Sequence, residues 1–292
     1  MRDGESGVAE RDEPPRLRPV SAGQDPGPLC TEGSKPNMAR VQNYWLRETT
    51  NVGIDREAAA WIGEIAPRWP AVVRMGRDWT RRVIRHLAEA GINQFLELGA
   101  GLPLLWSANT HQVACAVTPG SRVVAVDIDP LCVTYGQALL EGDNIHYVHA
   151  DAAAPDTVLG PSVAGGLLDW ARPVAVIASD VLPHIPDPAV VMSSYSRTLV
   201  AGSYVALSHF TDPGDGTDAE DLATDLQTRF LQCFGSGSFR SREEIAACFA
   251  GLDMMAPGLV PLDEWWPTTA TPVVGRRPRE ARLVLGGVGV KP

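Results

Sequence analysis

Apolar positions along the chain follow two rhythms, and the change falls at Gly91. From Asn37 to Gly91 they recur near the 3.6-residue spacing of a helix, predicting helices over Met38–Glu48, Asp55–Ala66 and about Pro70–Ala90. Val72, Val73, Trp79, Val83, Ile84 and Leu87 mark the buried side of the third. Asp55 is the expected N-cap of the second helix and Gly91 the stop of the third. After Gly91 come short continuous runs at Gln94–Leu98, Arg122–Asp127, His146–His149, Pro173–Ala178 and Ser203–Ser208. Runs so rich in Val, Ile and Ala suit strands covered on both faces, as in a parallel sheet. Crossover helices are expected between them at Ala108–Val117, Pro130–Leu140, Pro155–Trp170 and Pro188–Leu199. The C-terminal part is expected to be helical again over Thr217–Phe234 and Ser241–Phe249, the latter opened by a Ser241/Glu244 capping box and stopped by Gly251. Met254–Pro261 and Arg282–Val290 are expected as closing edge strands. This βαβ alternation predicts an α/β fold with a Rossmann-like, doubly wound, mostly parallel sheet.

Composition divides the chain further. Residues 1–36 hold six prolines among Gly, Ser and mixed charge, with few large apolar side chains to offset ordering entropy, and are expected to be a disordered tail. The expected domains are then a helical cap over 37–91 and a sheet domain over 92–292. The net charge of −10 argues against sequence-independent nucleic-acid binding. Lys35 and Lys291 are the two lysines, so no lysine lies between them for Schiff-base or phosphate-loop chemistry. Five cysteines without a CxxC pair indicate neither a disulfide framework nor a zinc site, and no metal is expected. No apolar run approaches the roughly 20 residues of a membrane span, and charged residues stand where a signal peptide would be apolar. The expected setting is the cytoplasm, away from membranes.

The chemistry concentrates where strands end. Phe95-Leu96-Glu97-Leu98-Gly99-Ala100-Gly101-Leu102-Pro103 is a strand entering a Gly-rich turn, with Glu97 able to accept hydrogen bonds. Pro103 occupies the place of the third glycine of the dinucleotide fingerprint, which disfavours a nicotinamide-dependent oxidoreductase. Asp127 ends the second strand 26 residues after Gly101, near the roughly 20-residue distance at which an acid meets a ribose diol. The third strand leads to Asp151-Ala152 and the fourth to Ser179-Asp180, so four strands deliver acids to one sheet edge. His184 and His209 follow the fourth and fifth strands as candidate proton acceptors. Trp45 and Trp106 are the tryptophans expected near the pocket, whereas His86 is expected to be an ordinary helix residue.

Glu97, Asp127 and Asp151 in this order resemble the first three motifs of class I S-adenosylmethionine-dependent methyltransferases. The chain resembles most closely an actinobacterial S-adenosyl methyltransferase family formerly catalogued as a domain of unknown function. The similarity runs through Ala39-Arg40-Val41, Asp55-Arg56, Leu87-Ala88-Glu89-Ala90-Gly91-Ile92, Gly101-Leu102-Pro103, Leu207-Ser208-His209 and Gly286-Gly287-Val288, and covers about Met38 to Pro292. It implies a seven-stranded methyltransferase sheet and S-adenosyl-L-methionine as cofactor. Glu97, Gly99 and Gly101 would approach the cofactor's amino-acid end, Asp127 its ribose, Ile128 the adenine face, and Asp151 with Ala152 the adenine edge. Tyr44, Asn51 and Arg77 would face the cofactor from a helical lid, and Ser179 would line its pocket. Two runs depart from the family pattern: Asn43-Tyr44-Trp45-Leu46-Arg47-Glu48-Thr49-Thr50-Asn51-Val52 in the cap, and Leu182-Pro183-His184 after the fourth strand.

The resulting expectation is methyl transfer to a small-molecule nucleophile of secondary metabolism, with His184 as first and Asp180 as second candidate base. Two alternatives stay open at this level: chemistry on the cofactor's amino-acid arm instead of methyl transfer, and a non-catalytic cofactor-binding module. A second copy of the chain, as a homodimer, is the one protein partner entertained; nucleic acid and membrane are not.

Overall fold

The short apolar runs after Gly91 form a sheet whose inner strands have almost no exposed residue. A computed structural model describes residues 35–266 and 278–292. Strands β1 (Gln94–Leu98), β2 (Arg122–Asp127), β3 (Ile145–His149), β4 (Ala175–Ala178) and β5 (Tyr204–Phe210) pair in parallel in the order β3-β2-β1-β4-β5. The pairing of Glu97 with Ala125 and Ile177 places the ends of β1, β2 and β4 side by side. The order reverses at β1, where an open α/β sheet forms its ligand crevice.

Antiparallel to β5 lies β8 (Val284–Val290), and its far side carries two short segments, β6 (Asp253–Met254) and β7 (Val260–Pro261). The edge strand expected over Met254–Pro261 is thus split, and these two pieces share the seventh position of the methyltransferase-type sheet.

The pleat sends alternate strand residues to two cores. Phe95, Ala125, Ile177 and Ala206 face one side, where they meet α1 (Met38–Trp45), α2 (Gly53–Ile65), α3 (Trp69–Glu89) and α9 (Asp218–Phe234) through Val41, Ile62, Trp79 and Phe230. Leu96, Val126, Val176 and Leu207 face the other, against α8 (Pro188–Thr198) through Met192 and Tyr195. The N-terminal helices therefore share a core with the sheet.

On the first face lie also α4 (Thr110–Val117) and α5 (Pro130–Leu140), the latter opened by Asp129 as N-cap. Where one helix is expected over Pro155–Trp170, the chain makes two single turns, α6 (Pro155–Val158) and α7 (Ala164–Leu167). Gly160-Pro161 separates them, a pair that interrupts a helix by backbone freedom and by a missing N–H. The capping box expected at Ser241 and Glu244 opens α10 (Arg242–Ala246).

Asp55 is placed differently from expectation. Val52 is the N-cap of α2, and Asp55 sits three residues inside it, fully buried. Its carboxylate accepts bonds from Val52 N–H (2.9 Å), Asn37 N–H (3.1 Å) and Arg40 Nε (2.8 Å). One buried acid thus locks the start of α1 to the start of α2. Of the expected tail, Lys35 and Pro36 belong to the folded part, where the Lys35 carbonyl accepts a bond from Arg40 Nη2; residues 1–34 lie outside the described residues.

Candidate active site

The turn after β1 is built for close approach. Gly99 and Gly101 have φ of 65° and 69°, the left-handed region where a side chain is strained. A Cβ on Gly99 would stand 2.5 Å from Val181 Cγ2. The turn is stapled to β2: Ala100 N–H donates to Val126 O (3.0 Å) and Gly101 N–H to Asp127 Oδ2 (2.7 Å), while Asp127 Oδ1 accepts from Asp129 N–H (2.9 Å). Replacing Gly99 by Ala should cost about 2–3 kcal/mol, from backbone strain and overpacking on Val181. A thermal melt in which Gly99→Ala matched the wild type would contradict this packing.

Above the turn, the strand ends and α1 enclose a cleft of about 470 Å³, within the range of small-molecule sites. Its walls include Arg77, Gly99, Gly101, Asp127, Ile128, Asp151, Ala152, Ser179, Asp180 and His184, ten of the residues expected to act together. Ile128 is 63% exposed, an apolar side chain left open at the cleft. Asp151 spends one oxygen on Ala153 N–H (2.8 Å), and the Ala152 carbonyl is fixed by the Tyr195 hydroxyl (2.9 Å). Arg77 reaches in from α3, where it holds down the carboxyl pKa values of Glu97, Asp127 and Asp180. Burial nevertheless raises all three above the ordinary range.

Asp180, at the end of β4, has φ of 58°, uncommon for a non-glycine residue. Its N–H donates to Ser208 Oγ (3.0 Å), and that hydroxyl donates to Asp180 Oδ1 (2.8 Å). Oδ2 lies 3.1 Å from where a Cβ on Gly76 would stand, so α3 approaches through a glycine. Ser179 Oγ is bonded to Thr80 Oγ1 on the same helix (2.9 Å).

Several expected residues lie elsewhere. Glu97 points to a separate space of about 20 Å³ behind the turn, shared with Thr110, Tyr147 and Arg77. Because β1 alternates faces, Glu97 falls beside Phe95 on the helical side, and among the cleft residues it meets Arg77, which lines both spaces. Tyr44 and Asn51 do not line the cleft: Tyr44 is exposed, and the Asn51 amide donates to Asn43 Oδ1 and Glu48 O. Trp45 is buried in the helical core and Trp106 is 78% exposed, so neither borders the cleft. Trp106 is held outward because Glu48 Oε1 accepts the N–H groups of Leu105 and Trp106 (both 3.1 Å). His86 packs its ring on Trp266, 3.8 Å between centroids.

The two candidate histidines separate clearly. His209 is buried away from the cleft, with Nδ1 on Phe210 O (2.7 Å) and Nε2 on Arg240 Nη1 (3.0 Å), a positioning role. His184 lines the cleft, its Nδ1 2.8 Å from Ser236 Oγ and its buried Nε2 without a partner. Burial pushes both imidazoles down to about 4. Each should stay neutral through pH 6 and titrate near pH 4; an NMR titration placing either midpoint near the ordinary 6.5 would refute the burial argument. The unfolded chain binds these protons first, so the two residues favour the native state above about pH 6.5 and lose that contribution as pH falls toward 4.

Sequence reasoning misses Asn37, Gln42, Phe234 and Ser236, all of which line the cleft. Asn37 is the N-cap of α1 and its amide donates to Asp129 Oδ2 (2.8 Å), tying the lid to the end of β2. Its position before a helical run is a cap signal; Phe234 and Ser236 lie far along the chain and carry no such mark. Among the described residues no group of His, Cys, Asp and Glu is placed to hold a metal, and no helix is long and apolar enough to cross a membrane.

A Gly turn at the order reversal, an acid ending β2 and a cleft over the strand ends define a class I S-adenosylmethionine-dependent methyltransferase. The chain belongs to the S-adenosyl methyltransferase family, whose model matches residues 28–292. A candidate methyltransferase from Thermobifida fusca YX is 34% identical, with a TM-score of 0.82 over 91% of this chain and 98% of its own. A DUF574 family protein from Streptomyces avermitilis MA-4680 is 31% identical, with a TM-score of 0.80 over 88% of this chain and 98% of its own. No curated protein matches the chain. The protein is thus an enzyme that uses S-adenosylmethionine for methyl transfer. The residues present suit that cofactor: a cleft bordered by the left-handed Gly99 and Gly101 turn, acids toward the β2 and β3 ends, and a buried, unpartnered nitrogen at His184.

Proposed function

We propose that the cleft methylates a small-molecule nucleophile drawn from secondary metabolism, with the cofactor held toward β1, β2 and β3 and the acceptor toward β4. The size and walls of the cleft support this reading. About 470 Å³ must serve donor and acceptor together, and Met38, Ala39 and Gln42 of α1 wall it opposite the strand ends. Little room remains for a polymer chain.

Asp127 would accept the ribose hydroxyls through the lone pairs its two backbone bonds leave free, and Ile128 would cover adenine. Asp151 and Ala152 would meet the adenine edge, Gly99 and Gly101 would admit the amino-acid arm, and Arg77 would attract its carboxylate. The bound cofactor supplies a methyl group already activated on a sulfonium. The chain's own part is alignment and exclusion of water, and good positioning can contribute about 7–11 kcal/mol. His184 would take a proton where the acceptor carries one, with Asp180 as the second candidate. The four described cysteines are free thiols, which suits a reducing cytoplasm.

Methyl-labelled cofactor incubated with the protein and fractionated cell extract tests the substrate class. Label should enter the low-mass fraction and depend on the protein. Label confined to protein or nucleic acid would contradict the proposal.

A further inference from the structure

Ser236 has no motif around it, yet the fold takes trouble to place it. Helix α9 ends at Gly235, in the left-handed conformation at φ 72°, and the loop beyond is fastened to the turn after β4. Ser238 N–H donates to Pro183 O (2.8 Å), and Arg240 Nη2 donates to the carbonyls of Ile185 (2.9 Å) and Pro186 (2.6 Å). His209 holds the other end of that guanidinium. The outcome is Ser236 Oγ at 2.8 Å from His184 Nδ1, with His184 Nε2 buried, unpartnered and on a ring that lines the cleft. A buried polar atom without a partner is costly and uncommon, and in a cleft it calls for a ligand group.

We infer, resting on the methyl-transfer reading above, that His184 and Ser236 form the acceptor subsite, and that the acceptor is an uncharged, apolar-bodied molecule methylated on a hydroxyl. Ser236 is the positioning residue: its Oγ accepts Nδ1–H and so turns the Nε2 lone pair toward the acceptor's O–H. Ile185, Pro186, Phe234 and Met38 supply the apolar wall. Of the titratable and charged groups, His209 on β5 interacts with His184, Arg240 on the loop after α9 bonds His209, and Arg77, Asp127, Asp129, Asp151 and Asp180 share the cleft with the ring. Burial keeps His184 and His209 in their uncharged forms, and the Arg240 guanidinium stands behind them, which favours a hydroxyl over an ammonium here. In the reaction the acceptor oxygen bonds to the methyl carbon, and the carbon–sulfur bond breaks with its electron pair left on sulfur. The hydroxyl proton passes to Nε2 and is lost to solvent when the product leaves.

Nitrogen NMR on the full chain saturated with S-adenosylhomocysteine tests this without turnover. Wild type should show the Nδ1–H tautomer of His184; phenol as a probe should perturb Nε2, and benzylammonium should not. Ser236→Ala should mix the tautomers, and Ser236→Thr should restore the single one. A protonated Nε2 in the wild type, no response to phenol, or an equal response to benzylammonium would overturn the inference. Calorimetry separates the levels: if S-adenosylhomocysteine does not bind, the cofactor reading itself fails, whereas tight binding with the wrong tautomer removes the acceptor assignment alone.

Discussion

Replacing Asp127 by Ala should weaken binding of S-adenosylhomocysteine at least about 100-fold, at about 1.5–3 kcal/mol for each of two charge-assisted bonds to a ribose diol. The structure adds a second cause. Both carboxylate oxygens already accept backbone N–H groups, Gly101 on Oδ2 and Asp129 on Oδ1. The alanine variant therefore loses the staple that holds the Gly turn against β2. Asp127→Asn is not conservative here, since its amide nitrogen must face one of those two N–H groups. It too should bind weakly while its far-ultraviolet circular dichroism stays native. Calorimetric affinities of both variants within threefold of wild type would show that Asp127 does not hold the cofactor.

Asp55→Ala should remove about 3–5 kcal/mol of stability, the range for breaking a buried ion pair from one side. Arg40 would keep its guanidinium buried with the Lys35 carbonyl as its remaining partner. Because the same carboxylate holds Asn37, and Asn37 bridges to Asp129, the damage should reach the cleft as weaker cofactor binding. Removing the stranded charge as well, in Asp55→Ala with Arg40→Met, should recover a large part of the loss, since the coupling between paired residues is not additive. Urea unfolding of Asp55→Ala, Arg40→Met and the double variant measures this coupling, and an additive double variant would contradict the ion-pair account.

What could be read before the structure was whatever depends on local pattern. β1 and β2 fall at their expected bounds because continuous apolar runs between Gly, Pro and Asp have few other ways to be buried. The acids at the strand ends were legible for the same reason, since the topology fixes which ends share an edge. Glu97 shows the limit: alternation in β1 turns it to the helical side, away from the cleft, and a motif does not state which face it uses. Tyr44 and Asn51 stand outside the cleft for a different reason, because the course of the cap loop is set by Glu48 reaching the N–H groups of Leu105 and Trp106. Ser236 and Phe234 stand beside His184 through a loop fastened by Arg240, a long-range contact that no local spacing encodes.

A crystal structure with S-adenosylhomocysteine bound tests the central claim most directly. The account predicts the ribose on Asp127, the adenine between Ile128 and Asp151, and the sulfur facing open space bounded by Asp180 and His184. An adenine seated at His184 and Ser236, or a ligand outside the cleft, would contradict it.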